Sequence, residues 1–172
     1  MAFVIPEPTL RKMADRIGDE QTEYGGSLVV DGAGNLVQGP QLKRGDFDAV
    51  YLDPAPYLWH THPARCVRVP SGSMKCTYSI PSAQDLLTMK TMAADGILKA
   101  HVVCTRAGWF VVKADANLCA LRDREVVEAY SGLYRKHPQD NPQLADDFMS
   151  LARSWGLAVT FVSAGAPRSV RA

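Results

Sequence analysis

The sequence predicts an α+β or α/β domain built on a mostly mixed sheet. Three observations predict it. Apolar runs of strand length recur at 27–30, 57–62, 97–104 and 109–113. Two stretches, 122–137 and 142–155, repeat apolar residues at helical spacing instead. The chain has 172 residues, 47% of them hydrophobic and 22% charged, which suits one globular domain with a core of its own.

Taken in order, Pro8-Thr9 opens the first helix, with Thr9 as candidate N-cap. Leu10, Met13, Ala14 and Ile17 fall on one helical face, and Gly18 with the polar run to Thr22 ends it. Glu23-Tyr24-Gly25-Gly26 starts a strand whose glycines permit close backbone approach. Residues 31–35 are a turn by composition, 36–38 the return strand of a hairpin, and 39–46 a loop. Phe47 to Leu52 reads as a further strand. Tyr57 to His62 is a strand whose alternation puts Leu58, His60 and His62 on one side.

Residues 64–79 carry no clear period and read as an exposed loop, with a short strand at 75–78. A helix begins at Pro81-Ser82 and stops at Asp95-Gly96. Ile97–Cys104 and Trp109–Lys113 form an apolar hairpin. Helices follow at 122–137, closed by Pro138, and from Asn141-Pro142 to Gly156, and then a strand at 157–162. The tail, 164–172, is small, basic and frayed. No internal repeat and no second domain is visible, so residues 1–172 are expected to be one domain.

Charge and targeting signals narrow the classes of function. The formal net charge is +1, which gives no argument for nucleic acid or an anionic membrane. No apolar run reaches a membrane span, and the N-terminus lacks the parts of a signal peptide, so a cytoplasmic location is expected. Cys66, Cys76, Cys104 and Cys119 form no C-x-x-C pair and are expected as thiols, with Cys66 and Cys76 able to pair under oxidising conditions.

The chemistry concentrates in His60-Thr61-His62-Pro63 and Ser82-Ala83-Gln84-Asp85. Histidines at i and i+2 point to the same side of a strand, which is how a metal site begins. Asp85 is the best third ligand, and two nitrogens with one oxygen suit zinc. Zinc lowers the pKa of water from ~15.7 toward about 7 in favourable sites. A carboxylate must then take that proton and pass it to the leaving amine, a task Glu23 can fill. Ser82, one helical turn before Asp85, can donate to an oxyanion.

Each residue also has a plainer explanation. Ser82 and Asp85 resemble a capping box, and a capping serine can still face a metal. A lone Glu23 would be a surface carboxylate. His101, at the start of an apolar strand, and His137, at a helix end, are expected to be structural. Arg65, Arg68 and Lys75 are expected in a solvated loop, and Trp59, Trp109 and Trp155 in packing.

Glu23 before Gly-Gly, His60-Thr61-His62-Pro63 and Ser82-x-x-Asp85 together resemble the JAMM (MPN+, Mov34/PAD1-type) metalloprotease family, whose pattern is a glutamate, H-x-H-P and S-x-x-D. The order of surrounding elements is similar over residues 8–115. The resemblance implies a curved mixed sheet flanked by helices over that core; 116–163, which the family's core pattern does not place, read as a helical C-terminal extension and 164–172 as a tail. It implies Zn2+ on His60, His62 and Asp85, with Glu23 as general base and Ser82 stabilising the oxyanion. All five positions are filled, as in the catalytic branch of the family. One departure is length: nineteen residues lie between His62 and Ser82, more than the family's usual spacing, so the stretch 65–79 must loop out as an insertion.

The expected function is a zinc metallopeptidase cleaving peptide or isopeptide bonds, deubiquitinase-like. The resemblance suggests protein or peptide substrates such as ubiquitin-like modifiers, and a partner subunit. The alternative is a scaffold subunit of a larger assembly that uses a JAMM-like fold without catalysis. Nucleobase deaminases and H-E-x-x-H proteases are excluded because their motifs are absent, and an H-x-H amidohydrolase barrel of typically ~250 residues does not fit this chain.

Overall fold

The computed structural model describes residues 3–17, 22–46, 49–64, 66–77, 79–137, 141–165 and 170–171. Its main sheet is six-stranded and mixed, in the order β3-β2-β4-β7-β8-β9. These strands are β2 (Tyr24–Val30), β3 (Leu36–Arg44), β4 (Tyr57–Thr61), β7 (Ala100–Thr105), β8 (Gly108–Lys113) and β9 (Val159–Ser163). Two short ladders accompany it: β1 (Val4–Ile5) with β10 (Val170–Arg171), and β5 (Cys66–Arg68) with β6 (Met74–Cys76). The helices are α1 (Glu7–Ala14), α2 (Ala83–Ala94), α3 (Ala116–Ala120), α4 (Asp123–Lys136) and α5 (Gln143–Ser154).

Strand alternation sorts the core into two layers. Tyr57, Trp59, Val102, Cys104, Trp109 and Val111 face α1, packing with Leu10 and Met13. Leu58, Val103, Phe110 and Val112 face the other way, onto Leu86 and Met89 of α2, Val126 and Tyr130 of α4, and Phe148 of α5. A sheet covered on both sides explains why β7 is buried along its whole length and reads as a continuous apolar run. Among the described residues, no helix is long and apolar enough to cross a membrane.

The β4–β7 pair is parallel, and the chain between them passes through the β5–β6 hairpin and α2. Every other pairing in the main sheet is antiparallel. The single parallel pair sets the site, because it brings the C-terminal end of β4 beside the N-terminus of α2. Tyr130 Oη of α4 donates 2.6 Å to the Pro81 carbonyl, which anchors the start of α2 to the C-terminal helices.

Several expectations are corrected. Thr9 does not cap α1; Pro6 precedes the helix and Thr9 is buried within its first turn. The loop expected at 39–46 is largely strand, since β3 runs on to Arg44 through Gly39-Pro40. β3 lies at a sheet edge, where a proline removes no needed ladder bond. The strand expected at 47–52 is absent over 49–52, which carry no regular structure; residues 47 and 48 lie outside the described residues. The 64–79 loop holds an antiparallel hairpin, β5–β6, whose register sets Cys66 opposite Cys76. Helix α3 was not expected, whereas the final strand expected at 157–162 is present as β9 and completes one edge of the sheet. Pro142 immediately precedes α5, while Asn141 Oδ1 accepts from the Gln143 amide at 3.0 Å. The tail returns at Val170–Arg171 to pair with Val4–Ile5, so it is not wholly frayed. The helix stop at 18–21, Arg65 and Pro138 lie outside the described residues.

The close approach expected of Gly25-Gly26 is present. A Cβ on Gly26 would stand 2.2 Å from the Gln41 carbonyl oxygen, where backbone cannot yield cheaply. Gly26→Ala is therefore expected to destabilise the fold by about 1–3 kcal/mol, the usual cost of overpacking. Urea unfolding measures it, and an unchanged midpoint would show that β2 and β3 can separate without penalty.

Candidate metal centre

His60 lies in β4 and His62 one residue beyond its end, both on the α2 side of the sheet. The His62 amide donates 2.9 Å to the Cys104 carbonyl, which carries the β4–β7 ladder past the last strand residue and fixes the His62 backbone. Opposite them, Ser82 caps α2 and Asp85 occupies the third helical position. The Ser82 Oγ accepts from the Asp85 amide at 3.0 Å, and Asp85 Oδ2 accepts from the Ser82 amide at 2.6 Å. The capping box holds the carboxylate rigidly at a helix N-terminus, where the helix dipole favours negative charge.

Four atoms of three candidate ligands converge. His60 Nε2 and His62 Nε2 are 2.9 Å apart, with Asp85 Oδ1 3.3 Å from the first and Oδ2 3.1 Å from the second. Neither Nε2 has hydrogens enough for two such neighbours. The lone pairs left facing one another are a repulsion that either a proton or a metal cation relieves. The contacts, which reach Asp85 through a different oxygen from each histidine, lie near the roughly 3.3 Å that separates neighbouring ligands at ~2.0–2.1 Å from a tetrahedral ion. The described residues thus hold one His/Asp cluster able to ligate a metal.

Charge is shared across the cluster. Burial opposes ionisation of Asp85, yet the two imidazoles hold its carboxyl well below the usual carboxylate range. Burial also opposes protonation of His62, and Asp85, Glu23 and a hydrogen bond to the Ile80 backbone push it above the usual imidazole value. Both shifts favour opposite charges side by side.

Glu23 reaches the site through sheet register. Gly25 pairs with His60 in the antiparallel β2–β4 ladder, so two residues back Glu23 stands level with His62 on the same face. The Tyr24 amide donates 2.9 Å to Thr61 Oγ1, and the Glu23 amide donates 2.8 Å to the Asp46 carbonyl. Glu23 is only 8% exposed, and burial raises its pKa against the lowering pull of His60 and His62. Glu23, Ser82 and the three ligands line one cavity of about 760 Å³, together with Leu52, Ile80, Met89 and Tyr134. All five residues singled out in the sequence are thus brought together.

Sequence reasoning missed two contributors. His101, expected to be structural, lies with Nε2 2.7 Å from His60 Nδ1 and lines the same cavity. The available signal was a histidine inside a continuous buried strand, a position that demands a polar partner. Tyr134 reaches the cavity from α4, so the segment beyond residue 115 helps wall the site. His137 keeps its expected place at the end of α4, 2.7 Å from Asp147. Comparison of the chain with protein-family models, curated proteins and solved structures returns no match.

Proposed function

We propose that this chain is a zinc-dependent metallopeptidase of JAMM type that hydrolyses a peptide or isopeptide bond. The observation that carries the proposal is the convergence of His60 Nε2, His62 Nε2 and an Asp85 oxygen in a cavity that Glu23 and Ser82 also line. The donor set suits zinc: two imidazole nitrogens, one carboxylate oxygen and a cavity open beside them. When bound, zinc supplies Lewis acidity, making water acidic enough to act as a nucleophile near neutral pH.

The remaining work falls to side chains. Glu23 takes the proton from the attacking water and returns it to the leaving amine. Its burial suits that exchange, since a carboxylate with a raised pKa holds a transferred proton better than an exposed one. Ser82 Oγ accepts from the Asp85 amide, which leaves its own hydrogen to donate to the developing oxyanion. Leu52, Ile80 and Met89 give the cavity an apolar wall for the substrate chain near the scissile bond. A ubiquitin-like C-terminal tail as substrate rests on the motif resemblance.

Elemental analysis of the purified protein tests the reading. About one zinc per chain is expected, lost in Asp85→Ala. Absence of zinc after reconstitution would reject the metallopeptidase and favour the scaffold alternative.

A further inference from the structure

The contact between His60 and His101 decides whether His60 can be a ligand at all. The rings meet edge to face with centroids 4.8 Å apart, and they are 4% and 6% exposed. Two neutral imidazoles share one hydrogen across a 2.7 Å contact. If His60 donates from Nδ1, its Nε2 keeps a bare lone pair facing His62 and Asp85. If His101 donates instead, the His60 hydrogen sits on Nε2 and blocks the ligand position.

We propose that His101 is a positioning residue of the metal centre: its Nε2 accepts the Nδ1 hydrogen of His60 and so holds His60 in the tautomer that ligates through Nε2. The inference rests on the metal-centre reading above. With it, each ligand has an outer partner: His101 for His60, the Ile80 backbone for His62 and the Ser82 amide for Asp85. The arrangement carries a cost: with Nε2 accepting, the hydrogen of His101 sits on Nδ1, an atom buried without a hydrogen-bond partner. The register explains how it gets there: His101 pairs with Leu58 in the parallel β4–β7 ladder, two residues before His60 on the same face.

Zinc affinity, measured by competition with a chromophoric chelator, tests the role in the full chain. His101→Phe fills the space without an acceptor. In His101→Gln, the amide oxygen can reach the place of Nε2. The Phe variant is expected to bind zinc about 10- to 100-fold more weakly than wild type, and the Gln variant to recover most of that loss. Equal affinity of the Phe variant and wild type would overturn the positioning role while leaving the metal centre standing. Failure of wild type to bind zinc would overturn the metal centre, and this inference with it. Should His101→Phe not fold, imidazole nitrogen NMR of zinc-loaded wild type decides: the expected spectrum has hydrogen on His60 Nδ1 and none on His101 Nε2, and a hydrogen on His101 Nε2 overturns the proposal.

Discussion

Glu23→Gln is expected to lower hydrolytic turnover by about a hundred- to ten-thousand-fold, the range that a positioned general base supplies. Zinc should remain at one per chain, because Glu23 stands outside the His60–His62–Asp85 ligand cluster. Glutamine preserves the shape and the hydrogen-bonding reach but cannot take a proton from water. Turnover on a peptide or isopeptide substrate and zinc content, measured on the same preparation, check both halves. Unchanged turnover would remove Glu23 from the mechanism.

The same variant has a pH signature in the metal-free protein. Burial raises the folded-state pKa of Glu23 above its ordinary value of about 4.3. A group raised in the folded state contributes stability that is fully present below its unfolded value and lost as pH rises through the folded value. Wild type therefore loses stability across that window and the glutamine variant does not. The stability difference between the two should shift toward Glu23→Gln as pH rises from about 4 toward neutrality. Urea unfolding at several pH values reads it; a difference independent of pH would mean that Glu23 is not held in a desolvated site.

Asp85→Ala is expected to have two effects that a second variant separates. It removes a ligand, so zinc is lost. It also removes the carboxylate half of the α2 capping box, whose Oδ2 accepts from the Ser82 amide. Loss of a helix cap costs about 0.5–2 kcal/mol. Ser82→Ala removes the other half of the same box, with a cost to the fold of similar size, but leaves all three ligands in place. It should keep zinc and lose turnover by about a hundred- to a thousand-fold, as removal of one oxyanion donor does. Stoichiometric zinc in Asp85→Ala would show that the carboxylate is a cap and an ion-pair partner only.

Much of the fold was legible where one local signal governed, although the local signals at Thr9 and at 49–52 misled. The period-2 pattern of Tyr57–His62 put both histidines on one side, and the structure keeps Leu58, His60 and His62 there. Ser82 and Asp95-Gly96 bracketed α2 within a residue of its ends, because capping chemistry and a positive-φ glycine act locally. The β7–β8 hairpin and α4 followed from apolar runs that their own neighbours explain. Two of the failures share a cause. Gly39-Pro40 lies inside a strand only because β3 is an edge strand, and edge position is a property of the whole sheet. Residues 170–171 pair with 4–5, a contact between opposite ends of the chain that no local pattern announces.

The sequence by itself determined the chemistry on offer: two histidines on one strand face, a capped helix carrying Ser82 and Asp85, and a glutamate before paired glycines. The motif resemblance grouped them, and the tertiary structure decided how they meet, through the β2–β4 register that sets Glu23 level with His62 and the β4–β7 pair that brings α2 over the end of β4. It alone revealed His101 behind His60 and Tyr134 in the cavity wall. The physical reason is range. Side-chain alternation and helix capping act over a few residues and can be read along the chain, whereas strand order and register are settled by packing between segments far apart in sequence.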